Sequence, residues 1–160
     1  MIYKSTKHYG HNIGLSAVFR QPNADHSHCR FLHGYSLAFT FTFACEGLDN
    51  KNWAVDFGGL RPIKAWLEDM FDHKVCLDKN DPHLEKFKEL EELDLAEVRI
   101  FDGVGAEKFA EHAFNFADKL QASINIHVFN EDSCNQSLFL PSVIARKKFL
   151  NCIFSSSIKF

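Results

Sequence analysis

The sequence has no long hydrophobic run and no apolar leader. None of its 160 residues falls in an apolar stretch of the roughly eighteen that a membrane helix needs. The first ten residues, MIYKSTKHYG, are too polar to form the hydrophobic part of a secretion signal. These two absences predict a protein of the cytoplasm that makes no membrane contact.

The sequence also lacks an excess of basic charge and a regular cysteine spacing. Its formal net charge is −3, which argues against nucleic acid as the main partner. The five cysteines, at positions 29, 45, 76, 134 and 152, are too irregularly spaced for a disulfide framework. Irregularly spaced cysteines are typical of proteins in a reducing compartment, where a functional cysteine would act as a free thiol.

Apolar residues are plentiful, at 46% of the chain with 17 phenylalanines, so one domain with a real core is expected. We place that domain at residues 1–140. Residues 141–160 hold four basic residues and no acidic one, which leaves a net charge of about −7 on the first 140. We interpret 141–160 as an appended basic tail that packs through its apolar residues or lies on a subunit surface.

Hydrophobic periodicity predicts alternating strands and helices. Apolar and polar residues alternate through YSLAFTFTFACE, with Leu37, Phe39, Phe41 and Phe43 on one face, which predicts a strand. Further strands are predicted at NIGLSAVF (12–19), WAVDF (53–57), EVRIF (97–101) and SINIHVFNE (123–131). Helical spacing predicts a helix from about Gly59 with Asp56 as its cap, a short charged helix within 82–95, and a helix over 106–121.

This order of elements is typical of an α+β domain, with an antiparallel sheet and two long amphipathic helices on one face. Such a sheet has two open edges, and long alternating edge strands usually pair with another strand. A homo-oligomer built by extending the sheet is therefore predicted.

The stretch HSHCRFLHGYSL places three histidines and one cysteine within eight positions, His26 to His33. Three interpretations are open for it. His33 and residue 35 point to the same side of a strand, so a second histidine at 35 would make half of a zinc site, but Tyr35 stands there. Cys29 could instead be a nucleophile or base, or the histidines could simply be solvated loop residues.

Two further positions could carry chemistry. In the dipeptide Asp72-His73, a carboxylate could orient an imidazole that takes a proton from a thiol. Glu131, at the end of the last predicted strand, could bind the N–H edge of a pterin-like ring. Each feature is common by itself, and each has a structural alternative as an ordinary solvated residue.

The chain resembles the 6-pyruvoyltetrahydropterin synthase/6-carboxytetrahydropterin synthase family in the order of its motifs. These are CRFLHG, VDFGGLRPIK, FDHK, the helix near Glu107 and the strand ending in Glu131. The resemblance covers about residues 12–139. The short Cys-x-x-x-His-Gly spacing of Cys29 and His33 is similar to the bacterial 6-carboxy-5,6,7,8-tetrahydropterin synthases of queuosine and deazapurine biosynthesis.

The resemblance implies the tunnelling fold, a four-stranded antiparallel sheet with two helices on one side. Subunits of this fold join their sheets into an oligomeric barrel, and two trimers form a hexamer. The implied reaction is that of a lyase on 7,8-dihydroneopterin triphosphate, in which zinc polarises the side-chain hydroxyls. Cys29 would be the general base, Asp72 and His73 its proton relay, and Glu131 the residue that anchors the pterin.

The implied zinc site is altered. In the family three histidines hold zinc, and Phe19 and Tyr35 stand where two of them belong, which leaves His33. Either the metal is lost, or His28 replaces a missing ligand, with His26 and His11 as further substitutes. Two functions remain open: a carboxytetrahydropterin synthase with a rebuilt metal site, or a zinc-free paralogue that binds pterin and catalyses another step or none. A purely structural assembly protein is the third hypothesis.

Overall fold

The computed structural model describes residues 1–124 and 149–156. Its strands and helices are β1 (Tyr3–Tyr9), β2 (Ser16–Phe19), β3 (His33–Cys45), α1 (Arg61–Phe71), β4 (Lys74–Asp78), α2 (Leu84–Glu92), β5 (Glu97–Phe101), α3 (Ala106–Ile124) and β6 (Phe149–Ser156). The α+β class and the three predicted helices are confirmed.

The centre of the sheet is β3, the strand predicted from alternation. Its inward residues Leu37, Phe39, Phe41 and Phe43 are at most 1% exposed. Strand β1 pairs antiparallel with it, with Tyr9 opposite Phe39, and β2 pairs antiparallel with it, with Phe19 opposite His33. Strand β6 pairs antiparallel with residues 37–44 of β3.

The sheet differs from the predicted one in strand number and direction. The strand order is β1-β3-β2-β4-β5, with β6 also on β3, so the described sheet has six strands and not four. Strand β4 is parallel to both β2 and β5, so the sheet is mixed. Parallel neighbours need a crossover connection, and α2 supplies one between β4 and β5. The polar β1 and the short β4 had not been predicted, because neither alternates clearly.

Three of the predicted strands were wrong in part or entirely. WAVDF is not a strand, because the Asp49 carboxylate accepts hydrogen bonds from the Lys51 and Trp53 backbone N–H groups and holds a turn there. In NIGLSAVF only residues 16–19 are extended, since His11–Ile13 is a 3-10 turn that ends at Gly14 with φ +80°. Residues 123–124 of SINIHVFNE close α3, and the rest of that segment lies outside the described residues.

Helices α1 and α3 contribute to one core against the sheet. Asp56 accepts a hydrogen bond from the Gly58 N–H and starts the 3-10 turn that leads into α1, as its predicted capping role requires. Phe71 of α1 is fully buried, with its ring 5.2 Å from that of Phe39 and 5.1 Å from that of Phe109 on α3. These phenylalanines bring the start of α3 close to β2 and β3, where the site described below is found.

Part of the predicted tail belongs to the sheet, since β6 covers residues 149–156. The boundary between a domain at 1–140 and a tail at 141–160 stays a prediction. Among the described residues, none of the helices has the length and apolarity required to cross a membrane.

Candidate active site

A small cavity opens where β2, β3 and the start of α3 meet. Its volume is about 150 Å³. It is lined by Phe19, Gln21, Cys29, His33, Tyr35, Leu37, Gly105 and Ala106. The structure thus brings together two of the predicted site residues, Cys29 and His33, with the two residues that replace family zinc ligands.

Cys29 reaches this cavity because the loop after β2 folds back on itself. The Gln21 N–H donates to the Cys29 carbonyl at 2.7 Å, which closes the loop. The Cys29 N–H donates to the Ser27 hydroxyl at 3.1 Å, so Ser27 caps the 3-10 turn His28–Arg30. Cys29 is partly exposed, so a ligand in the cavity could reach its thiol, whereas Cys45 and Cys76 are buried.

The His33 ring is held by two hydrogen bonds that determine its tautomer. Its Nδ1 lies 2.7 Å from the Phe31 carbonyl oxygen, which can only accept, so Nδ1 carries the proton. In the neutral ring Nε2 then holds a lone pair, and it lies 2.6 Å from the Tyr35 hydroxyl. Tyr35 therefore donates its phenolic proton to His33 Nε2.

Aromatic packing fixes the position of Tyr35. Its ring stacks on Phe19 with centroids 4.7 Å apart and planes inclined by 18°. Phe19 is buried and meets Phe109 edge-on at 5.0 Å, so the stack rests on the core. Burial raises the pKa of Tyr35, and the nearby Cys29 raises it further through charge repulsion. The phenol therefore stays protonated near neutral pH.

The start of α3 closes the cavity, and two residues that the sequence had not pointed to are responsible. Gln21 Nε2 donates to the Val104 carbonyl at 2.8 Å and ties the loop to the residues before α3. Gly105 follows with φ +114°, a conformation that favours glycine. The sequence Gly-Val-Gly at 103–105 could have indicated this contact, since two glycines just before a helix are typical of a place where another segment approaches the backbone closely.

Asp72 and His73 form a pair away from this cavity. The Asp72 carboxylate accepts a hydrogen bond from His73 Nδ1 at 2.7 Å, so the predicted orientation of the imidazole by the acid is present. The His73 side chain is 84% exposed and does not line the cavity. The β2–β4 register puts Cys76 beside Phe19, whereas His73 lies just before the first residue of β4 in a left-handed conformation with φ +55°.

The other histidines that could replace a zinc ligand, His26, His28 and His11, lie outside this cavity. His26 and His28 line a separate depression of about 310 Å³ with Asp25, Ser27 and Arg30. His11 Nδ1 lies 3.0 Å from the Ser36 hydroxyl oxygen. Within the described part of the chain, no three His, Cys, Asp or Glu side chains are grouped so that they could hold a metal ion. These residues do not fit the three-ligand zinc site that the resemblance implies, and the metal assignment of His33 with His28 stays untested.

Glu131, the predicted pterin anchor, lies outside the described residues. Its role therefore remains a prediction from the sequence.

Solved structures define the class of fold. An uncharacterized protein from Wolinella succinogenes superposes with a TM-score of 0.64 at 16% identity, over 79% of this chain and 88% of that one. The 6-pyruvoyltetrahydropterin synthase of Plasmodium falciparum superposes with a TM-score of 0.55 at 11% identity, over 79% and 86% of the two chains. The chain has the tunnelling fold.

Sequence comparison then gives the family. The sequence profile described as 6-pyruvoyl tetrahydropterin synthase matches residues 8–134, and the chain belongs to this family. It is similar to the 6-carboxy-5,6,7,8-tetrahydropterin synthase of Rickettsia typhi, with 32% identity over 59 residues, which are 36% of this chain and 43% of that protein. The Rickettsia felis protein of the same name is 30% identical over 57 residues. These matches span less than half the length of the curated relatives.

Proposed function

We propose that this chain is a lyase of pterin metabolism that acts on 7,8-dihydroneopterin triphosphate in the manner of a 6-carboxytetrahydropterin synthase, and that it serves queuosine or deazapurine biosynthesis. The observation that carries the proposal is the partly exposed Cys29 thiol in a cavity with His33, in a chain of the 6-pyruvoyl tetrahydropterin synthase family.

In this proposal Cys29 is the general base for the pterin side chain. Its thiolate would remove a proton from a side-chain carbon, and the electron pair left there would expel the triphosphate. The stacked Phe19 and Tyr35 rings form an apolar wall that limits access of water to the reacting carbons. Glu131 would anchor the pterin ring.

The Asp72-His73 pair needs a second subunit to take part. It is exposed and lies outside the cavity of its own chain, so the cavity it can serve is that of a neighbouring copy. The extended-sheet oligomer expected from the resemblance would supply that neighbour. Active sites shared between subunits can be tested by mixing two inactive variants.

The test is turnover of 7,8-dihydroneopterin triphosphate, followed by triphosphate release. Cys29→Ala should abolish turnover, and Cys45→Ala, which alters a buried thiol of β3, should not. Mixed oligomers of Cys29→Ala and His73→Ala subunits should regain part of the activity, because some sites then contain both wild-type groups. Full activity of Cys29→Ala would mean that the thiol is only a packing residue, and the proposed chemistry would be wrong.

The second candidate is a zinc-free paralogue that binds a pterin but catalyses another step or none. The observation in its favour is that Phe19 and Tyr35 occupy two family ligand positions and pack against each other. Tight binding of a pterin without triphosphate release would favour this function. Failure to bind any pterin would favour the structural assembly hypothesis.

A further inference from the structure

The cavity contains a hydrogen bond where a metal-binding imidazole would need a free lone pair. The Phe31 carbonyl fixes the proton on His33 Nδ1, so Nε2 is the only nitrogen of the neutral ring that could bind a metal. That atom is already engaged by the Tyr35 hydroxyl at 2.6 Å. A metal would have to break this short hydrogen bond before His33 could become one of its ligands.

The other described residues that line the cavity offer no replacement set of ligands. Phe19 has no donor atom and is held between the rings of Tyr35 and Phe109. Cys29 is the other potential ligand that lines the cavity, whereas His28 lines the separate depression. Catalytic zinc normally has three protein ligands, and the described cavity residues supply at most a thiolate and one engaged imidazole.

The same geometry leaves a polar group available to an organic ligand. Since the Tyr35 proton is directed at His33, the lone pairs of the phenol oxygen remain free to accept a hydrogen bond. The ring cannot turn away easily, because it is stacked on Phe19. The cavity therefore presents one fixed acceptor on an aromatic wall, beside the Cys29 thiol.

We propose that this cavity works without a metal, and that the Tyr35 hydroxyl, held by His33, binds a hydroxyl group of the ligand's side chain directly. The absence of a metal is a claim about the protein alone. The role of the Tyr35 hydroxyl rests on the proposed function, which supplies the class of ligand: a pterin with a hydroxylated side chain. Tyr35 is thus a specificity residue for hydroxylated side chains.

The first experiment measures metal in the untagged, full-length protein after exposure to zinc and dialysis. We expect well below one zinc per chain, and the same unfolding midpoint with and without zinc. The double variant Phe19→His with Tyr35→His should take up more zinc under identical conditions, because it frees His33 and adds two imidazoles. Stoichiometric zinc in the unaltered protein would overturn the proposal.

The second experiment compares two probes by fluorescence titration: neopterin, which has a trihydroxypropyl side chain, and pterin, which has none. Tyr35→Phe keeps the ring stack but removes the hydroxyl, and with it both the hydrogen bond to His33 and the proposed one to the ligand. It should weaken neopterin binding by roughly two- to tenfold and leave pterin binding unchanged. Tyr3→Phe, a matched change outside the cavity, should affect neither.

The outcomes separate this proposal from the proposed function. Equal affinity of Tyr35→Phe and the unaltered protein for neopterin would overturn the role of the hydroxyl, even where pterin binding itself is intact. If neither probe bound, the proposed function and the role of the Tyr35 hydroxyl would both fail. The zinc measurement would then still decide whether the cavity works without a metal.

Discussion

The Gln21 side chain lies directly against Gly105, so closely that a β-carbon on the glycine would be 2.3 Å from Gln21 Nε2. The glycine also has φ +114°, where a side chain is strained. Gly105→Ala should therefore displace Gln21 from the Val104 carbonyl and lower the free energy of unfolding by about 1–3 kcal/mol. Chemical denaturation measures this change.

Gly47→Ala is the matched control, because a β-carbon at Gly47 would meet no heavy atom within 4 Å. It should leave the free energy of unfolding nearly unchanged. Equal stability of the Gly105 and Gly47 variants would show that the contact with Gln21 does not constrain the cavity wall.

A buried ion pair connects the loop after β2 to the turn after β4. Arg20 Nε lies 3.0 Å from an oxygen of Asp81, whose side chain is fully buried, while Arg20 is 18% exposed. Asp81→Ala should cost about 3 kcal/mol, because it leaves the guanidinium largely buried without its counter-charge. Glu68→Ala, which removes an exposed pair with Lys64 on α1, should cost less than about 1 kcal/mol. Similar losses in urea denaturation would contradict the structural role of Asp81.

Alkaline pH should destabilise the protein through two buried groups. Burial raises the pKa of Cys76 from 9.0 to about 12 and that of Tyr9 from 10.0 to about 12. Both groups lose their proton more easily in the unfolded chain, so unfolding is favoured as pH rises. Their stabilising effect is complete below pH 9 and is lost progressively as pH approaches about 12.

The measurement is the free energy of unfolding as a function of pH. Tyr9→Phe removes one titrating group, together with a hydrogen bond to the Leu60 carbonyl, and should give a flatter decline above pH 10 than the unaltered protein. Parallel curves for the two proteins would contradict the assignment to Tyr9.

Self-association should occur through a sheet edge, and β1 is at one end of the strand order. Light scattering should give a homo-oligomer, with a hexamer expected from the family resemblance, and a monomer at micromolar concentration would contradict this. Along β1 the backbone N–H groups point alternately toward β3 and away from it, so one of the neighbours Ser5 and Thr6 has its N–H at the open edge. Of the two variants Ser5→Pro and Thr6→Pro, the one that removes the outward N–H should lower the assembled mass. It should also cost less stability than the variant that breaks a hydrogen bond to β3.

Strong local patterns predicted the core elements well. Alternation identified β3, and the spacing of Ile63, Leu67 and Phe71 identified α1, because burial of one face imposes its period on the sequence. Strands β1 and β4 were missed because the first is mostly polar and the second, KVCLD, shows no clear alternation of apolar and polar residues. The parallel pairings of β4 depend on how distant segments meet, which no local period records.

The sequence by itself determined the family, the α+β class and the presence of Cys29, His33 and the Asp72-His73 pair, since these depend on residue type and order. Only the tertiary structure decided which of them share a cavity. Long-range pairing of β2 with β3 puts Phe19 against Tyr35, and the fold of the following loop brings Cys29 beside them. His73 stays outside because it leads into β4, which β2 separates from β3 by two strand spacings of roughly 5 Å each, and because its side chain is exposed.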